Sequence, residues 1–197
     1  MPIEGRTVLD ASKKFSDYLN RLLNRTLTKS RIVAVGSEDS ARIAVSFRQD
    51  NQLTSAPLQT KYGPMTLYVG QLCEGVQAGR DRVRLRTVLY TYTLTLVDGG
   101  DSDKKTDPLL RWEYVRTPAD GGLWCRHHLQ GPTPLSFGRA GYVPLNDLHL
   151  PTGYVPIEEI IRFCLVDLEV EPLSANWHDI LYASYKKFRE DFGGPPD

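Results

Sequence analysis

One long β-strand pattern, RVRLRTVLYTYTLTLV, constrains the fold more than any other part of the sequence. Successive side chains of a strand point to opposite faces, so Arg82, Arg84 and Arg86 share one face. From Tyr90 onward the pattern is inverted, because apolar side chains now occupy the positions that the arginines held. A period of two cannot change faces in this way without an extra residue or a change of surroundings. We therefore expect either a β-bulge or bend near residues 87–89, or a strand of which one half is covered on both faces.

Further strand patterns flank this run. LLRWEYV (Leu109–Val115) and LWCRHHL (Leu123–Leu129) follow it, and the three together predict an antiparallel meander. Upstream, RIVAVGS and ARIAVSFRQD predict a hairpin joined by a polar turn. Between the hairpin and the long run, MTLYVGQLCEGV fits either a strand broken at Gly70 or a short helix.

Helical periodicity appears at both ends of the chain. Apolar residues recur at i, i+3 and i+4 over Val8–Leu27, which predicts an amphipathic N-terminal helix. Near the C-terminus one helix is expected from Pro156, and another from Ser174 or Asn176 to about Phe192. We predict an α+β fold, in which an antiparallel sheet of five or six strands carries the N-terminal helix and two C-terminal helices on one face.

Length, charge and cysteine usage set the broad class of the protein. The length of 197 residues fits a single domain, which we place at residues 1–192 with a disordered tail at 193–197. Basic and acidic residues number 24 each, so no global field draws the chain to nucleic acid or membrane. Three widely spaced cysteines without a CxxC motif indicate free thiols. No signal peptide and no apolar run of ~18 residues is present, so we expect a cytoplasmic protein without a membrane partner.

The histidines are the first candidate for a catalytic site. His127, His128 and His149 are candidate general acids and bases, because paired histidines with pKa values near neutrality can cleave RNA without a metal. Strand alternation places His127 on the inward face and His128 on the outward face. The alternative is that His127 is a hydrogen-bonded core residue and His128 a surface neighbour of Arg126. A zinc site with Cys125 would require further ligands, so we expect neither a metal nor a cofactor.

The arginines are the second candidate. Arg82, Arg84 and Arg86 are about 7 Å from one to the next on a strand, close to the spacing of phosphates along a nucleic acid. Together with Arg126 on a neighbouring strand, they are candidate nucleic-acid-binding residues. The alternative is that they form ion pairs within the fold, with acidic residues such as Glu74.

The segments YTYTLTLVDG, LLRWEYV, CRHHLQG and LHLPTGYVPIEEIIRFCL follow one another in an order that resembles small uncharacterised bacterial proteins associated with toxin–antitoxin and phage-defence loci. The resemblance covers about residues 82–170. Several of those families have an Arg-Tyr-Asp triplet before the histidines, where this chain has Arg111, Trp112 and Glu113. The resemblance therefore implies a component of such a system without assigning a catalytic role to these three positions.

Two functional hypotheses follow from the sequence. The first is a non-enzymatic bacterial binding protein of a toxin–antitoxin or defence system that acts through protein–protein contacts, because no strong catalytic motif is present. The second is a metal-independent ribonuclease or RNA-binding domain that uses the arginines and histidines. Salt distinguishes the two, because phosphate binding weakens steeply with ionic strength and an apolar protein interface does not.

Overall fold

The computed structural model describes residues 3–97, 108–117, 126–132, 134–136, 142–144 and 150–192. Within these ranges lie three helices, α1 (Val8–Thr26), α2 (Ile157–Val166) and α3 (Trp177–Phe192). The strands are β1 (Glu4–Gly5), β2 (Ile32–Val35), β3 (Arg42–Gln49), β4 (Gln52–Leu53), β5 (Ala56–Thr60), β6 (Gly63–Gly79), β7 (Arg82–Leu96), β8 (Pro108–Val115), β9 (His127–Gln130), β10 (Pro134–Ser136), β11 (Tyr142–Pro144) and β12 (Leu150–Pro151). These elements confirm the predicted α+β class and the predicted numbers of N-terminal and C-terminal helices.

Ten of the described strands form one antiparallel sheet with the main order β12-β9-β8-β7-β6-β3-β2. The short strands β1, β4 and β5 pair with β7, β3 and β6, and β10 and β11 form a separate two-stranded sheet. The predicted sheet of five or six strands was therefore too small. Strands β1, β4 and β12 have two residues each, which is too short for a period of two to be recognised in the sequence.

The segment that fitted either a strand or a helix is the 17-residue strand β6. Gly70 does not break it. A Cβ atom at Gly70 would lie 2.6 Å from the hydroxyl of Tyr68, so the glycine makes room for an aromatic ring that lies across the strand.

A β-bulge in β7 accounts for the inverted alternation. Leu72 of β6 pairs with Leu89, whereas the next residue, Cys73, pairs with Thr87. Val88 is thus the extra residue, within the interval that the sequence predicted. The bulge keeps the arginines on one face of the sheet and the tyrosines on the other, as an insertion of one residue must.

We name the two faces of the sheet by their side chains. The tyrosine face carries Tyr90, Tyr92, Leu94 and Tyr114 and, on the N-terminal side of the bulge, Leu85. The arginine face carries Arg82, Arg84, Arg86, Glu113 and His128.

All three helices pack on the tyrosine face, as predicted. One core cluster joins apolar residues of the helices with residues of β3, β5, β6, β7 and β8; it includes Leu19, Leu23, Ile160, Ile161, Leu181, Phe47, Leu58, Leu67, Tyr90, Tyr92 and Tyr114. At the start of α1 the side chain of Thr7 accepts a hydrogen bond from the backbone N–H of Asp10, which satisfies one of the free donors of the first turn.

Two of the expected free thiols, Cys73 and Cys164, are buried and unbridged. The third cysteine, Cys125, the candidate residue His149 and the predicted tail at 193–197 lie outside the described residues. None of the helices described above is long and apolar enough to cross a membrane.

Candidate functional site

A cavity of about 460 Å³ lies next to the bulge and is lined by residues of all three helices and of strands β6 and β7. Its volume is within the ~300–1,000 Å³ that is usual for small-molecule sites. The cavity runs from Tyr92, which is 0% exposed, to Val76, which is 37% exposed. Most of its wall is apolar and aromatic, with contributions from Phe15, Leu19, Leu85, Tyr154, Ile157 and Phe188.

The position of the cavity follows from the bulge at Val88. A bulge increases the local twist of a strand pair, which changes how the strands beyond it meet the helices. Cys73, Leu85 and Ala11 form a small apolar cluster separate from the main core. Cys73 and Leu85 line the cavity from this small cluster, whereas Tyr92 lines it from the main core. The cavity therefore lies where the two clusters fail to meet.

Arg116, directly after β8, holds the bulge in place. Its backbone N–H donates to the carbonyl of Val88 at 2.9 Å, and its Nε donates to the carbonyl of Thr87 at 3.0 Å. Both carbonyls next to the extra residue are thereby satisfied, which an irregular strand requires. The side chain of Arg116 is also part of the cavity wall.

A chain of hydrogen bonds connects the three helices at the cavity wall. The Ser184 hydroxyl donates to Glu158 Oε1 at 2.5 Å. Because a serine hydroxyl has only one proton, the Tyr18 hydroxyl must be the donor in its own hydrogen bond with Ser184. Burial is the largest effect on Glu158 and raises its pKa above the ordinary value of 4.5, while the Ser184 hydrogen bond opposes this shift.

Gln71, Cys73 and Tyr92 of the wall are also buried. Gln71 Nε2 donates to the Tyr92 hydroxyl at 3.0 Å. Burial raises the pKa of the Cys73 thiol to about 12, and it raises the pKa values of Tyr92 and Tyr154 above their ordinary range. These groups are neutral at physiological pH, so they donate and accept hydrogen bonds but are poor nucleophiles.

Stacked aromatic rings support the deep side of the cavity. Tyr90 stacks on Tyr92 with 4.7 Å between ring centroids and on Tyr114 with 5.5 Å. Tyr154 meets Tyr90 edge-on at 88° and stacks on Phe188 at 5.4 Å. Such contacts fix ring orientations beyond what burial alone would do, so this wall is preformed.

Four cationic side chains line the cavity, and two of them, Arg116 and Lys187, are half-buried. Lys187 Nζ lies 5.0 Å from the centroid of the Tyr18 ring, a cation–π contact. Within the described part of the chain, neither cation has a carboxylate at ion-pair distance. The cavity thus combines an apolar interior with positive charge that no acidic side chain described here neutralises.

The structure places the two adjacent histidines on opposite faces, as predicted, since His127 pairs across the strands with Tyr114 and His128 with Glu113. His128 is nevertheless not a surface residue, because it is only 9% exposed. Its Nε2 lies 3.1 Å from Glu113 Oε2. Alternation along a strand predicts the face on which a side chain lies but not whether neighbouring residues bury it. Here Glu113 and the paired strand β12 flank His128.

His127 belongs to the aromatic layer of the tyrosine face. Its ring stacks on Tyr114 with 4.5 Å between centroids and an angle of 18°. Burial, followed by the charges of Arg126 and His128, lowers the pKa of His127 below its ordinary value of 6.5. The structure does not bring His127 and His128 to one point, so a catalytic pair would have to include His149.

The predicted nucleic-acid-binding arginines are engaged in ion pairs on the arginine face. Arg82 and Arg84 each lie 3.4 Å from a carboxylate oxygen of Glu4, and Arg86 lies 2.6 Å from Glu74. These contacts correspond to the alternative interpretation, in which the arginines form ion pairs within the fold. The guanidinium groups nevertheless stay largely exposed. Arg126 is exposed beside β9, two strands away from β7 in the order of the sheet.

The sequence analysis missed the residues that define the cavity, above all Glu158, Tyr154 and Lys187. One signal was present. Ser184 is a polar residue on the apolar side of α3, and it is 7% exposed. A buried hydroxyl requires a partner, and here Ser184 donates to the carboxylate of Glu158 in the first turn of α2.

In the described ranges no group of three His, Cys, Asp or Glu side chains is close enough to hold a metal ion. Comparison of the chain with family models, with curated proteins and with solved structures gives no match. The function is therefore argued from the geometry of the site.

Proposed function

We propose that this chain is a non-enzymatic binding protein that holds a small, largely apolar molecule in the cavity beside the bulge. The observation that carries the proposal is the cavity itself, which has about 460 Å³ of space, an apolar wall and a few convergent polar groups. Pockets of this size and character are the usual sites of small-molecule binding. The proposal differs from the sequence-based hypothesis, which is a binding protein that acts through protein–protein contacts.

Binding is favoured over catalysis by the state of the thiol and the two phenols in the wall. A nucleophile or general base must be able to ionise near the working pH. Burial shifts Cys73, Tyr92 and Tyr154 in the opposite direction, since it raises the pKa of each. The same burial makes these groups suitable for hydrogen bonds of fixed direction to a ligand.

The predicted protein partner in a toxin–antitoxin or defence system is a separate proposal. It rests on the sequence resemblance over residues 82–170, and the proteins that co-purify with the chain would test it. The ribonuclease hypothesis has less support from the geometry, because Arg82, Arg84 and Arg86 have acidic partners and the two adjacent histidines lie on opposite faces.

The test is a titration of the protein with N-phenylnaphthylamine, an uncharged dye whose fluorescence rises in apolar surroundings, followed by displacement with decanol. We expect saturable binding with one site per chain. Val76→Trp places a large ring at the opening and should weaken binding at least about tenfold, a loss of ~1.4 kcal/mol.

The matched control for this experiment is Val35→Trp. Val35 is 36% exposed on β2, compared with 37% for Val76, but it does not line the cavity. Cys73→Phe, which fills the cavity from its deep side, serves as a second blocking variant. Equal dye binding by wild type and by folded Val76→Trp and Cys73→Phe, or no saturable binding by wild type, would overturn the proposal.

A further inference from the structure

The charge of the cavity narrows the ligand class further. We propose that the ligand is an amphipathic anion, with an apolar body in the cavity and a carboxylate head group held by Arg116 and Lys187. This inference rests on the proposed function, because it concerns the same cavity. The two cations of the wall, which an apolar ligand would leave without a partner, indicate the chemical class of the ligand.

Burying the positive charges of Arg116 and Lys187 without a partner costs free energy. Arg116 and Lys187 are half-buried, and a cation that loses part of its hydration needs a compensating anion or hydrogen-bond acceptors. Arg116 uses only its Nε, at 3.0 Å from the carbonyl of Thr87, to hold the bulge. Its two terminal nitrogens have no acceptor within the described residues, and a carboxylate is the acceptor whose planar geometry fits a guanidinium.

The other two cations that line the cavity differ from Arg116 and Lys187 in having carboxylate partners. Arg84 and Arg86 also line the cavity, but they lie 3.4 Å from Glu4 and 2.6 Å from Glu74, respectively. Among the described residues, carboxylates thus lie beside the arginines of the arginine face and not beside the cation that holds the bulge. The missing negative charge is what a ligand would bring.

No ion pair among the described residues joins Glu158, the acid of the cavity wall, to either cation. Burial raises the pKa of Glu158, and its hydrogen-bond partners are Ser184 and the backbone. Together with Gln71 and Tyr92 it makes the deep end of the cavity rich in hydrogen-bonding groups. An apolar chain with its anion at the Arg116–Lys187 end fits this distribution, whereas the reverse orientation would place an anion next to Glu158.

The experiment measures displacement of bound N-phenylnaphthylamine by decanoate and by decanol at neutral pH, where the carboxylate is ionised. The two competitors have the same chain and differ in the charge of the head group. We expect decanoate to bind at least about tenfold more tightly, which corresponds to ~1.4 kcal/mol. The preference should shrink as salt is raised, since screening weakens the ionic contact and not the apolar one.

Lys187→Met should reduce the ratio of decanoate affinity to decanol affinity. Arg116→Gln should also reduce the preference for decanoate. Because Arg116 also holds the bulge, the melting temperature of this variant is measured as well. Lys186→Met is the matched control, since Lys186 is exposed on the same helix and does not line the cavity.

The outcomes separate the two proposals. If decanol and decanoate displace the dye equally well, the head-group inference is wrong and the apolar site stands. If neither displaces it, the proposed function itself is wrong. A decanoate preference that persists unchanged in both folded variants would also overturn the assignment of the head group to Arg116 and Lys187.

Discussion

The two ends of the β6–β7 strand pair differ in how closely the helices cover them. Beyond the bulge, Tyr90, Tyr92 and Leu94 are 0% exposed and belong to the main core under the helices. Before the bulge, Leu85 is 8% exposed and borders the cavity. Strand β6 pairs with β7 at both ends, whereas the other neighbour of β7 is β8 beside the tyrosines and β1 beside Arg84.

The register of the strand pair changes between the two ends at a single extra residue, Val88. By shifting the register of β7 against β6, it assigns the tyrosines to the core and the arginines to the other face, and it leaves space beside the shift. One strand pair can thus stabilise the fold at one end and present a site at the other. A site that borders a rigid aromatic core needs little rearrangement to bind its ligand.

The largest effect is expected from a charge placed in the closed core. Ile161→Asp should unfold the protein, because Ile161 is 0% exposed on α2 and an unpaired carboxylate there has no partner. The cost of several kcal/mol is comparable with the total stability of ~5–15 kcal/mol of a typical domain. Val166→Asp, 47% exposed on the same helix, is the control and should melt close to wild type. A cooperative, near-native melt of Ile161→Asp would show that α2 does not pack on the sheet.

The comparison of the two ends can be tested directly with matched leucines. Leu94→Ala should destabilise by ~2–5 kcal/mol, because it opens a new hole in a closed core. Leu85→Ala should cost less than half as much, since it enlarges a space that already exists. Urea unfolding of both variants gives the two free energies. Equal losses would mean that the bulged end is packed as tightly as the closed end.

The pH dependence of stability should carry the signature of Glu158. Burial raises its folded pKa above 4.5, so the folded state keeps a proton that the unfolded state loses, and stability falls as pH rises through the interval between the two pKa values. Glu158→Gln cannot titrate and should lack this fall, which makes it more stable relative to wild type at pH 7 than at pH 4. Urea unfolding over this range measures it.

A second substitution sharpens the Glu158 test. Ser184→Ala removes the hydrogen bond that lowers the pKa of Glu158, so it should steepen the fall in stability with pH. Parallel pH profiles for wild type and Glu158→Gln would contradict a buried acid in the cavity wall.

The smallest effect is expected on the arginine face. Exposed ion pairs contribute ~0–1 kcal/mol each, so the triple variant Arg82→Ala, Arg84→Ala, Arg86→Ala should lose little stability. Because these arginines already form ion pairs with Glu4 and Glu74, the wild-type protein should not bind RNA or DNA tightly even at low salt. Anisotropy titrations with both nucleic acids measure this. Binding tighter than micromolar that disappears in the triple variant would favour the ribonuclease or RNA-binding hypothesis instead.

The sequence predicted those features that depend on local periodicity. The helix over Val8–Thr26, the bulge at Val88 and the opposite faces of His127 and His128 all follow from the alternation or the helical period. The short edge strands were missed because two residues do not establish a period. The cavity was missed because it results from how α1, α3 and the strands beside Val88 meet, which depends on tertiary packing and not on any one segment.

The same distinction applies to individual residues. The face of His128 is as predicted, but the alternative in which it is a surface residue is wrong, because Glu113 and β12 bury its side chain. Glu158 lies in the first turn of α2, where the helix dipole favours a negative charge, and its burial against α3 could not be recognised in the sequence.

The most direct test of the account is a map of methyl chemical shifts in the protein titrated with decanol. Binding in the cavity predicts shifts at Leu85, Val76 and Ile157, which line it, and little change at Leu94 and Leu67, which lie in the closed core. Saturation of those three shifts at one decanol per chain would support the site beside the bulge. Shifts that concentrate elsewhere, or that never saturate, would contradict it.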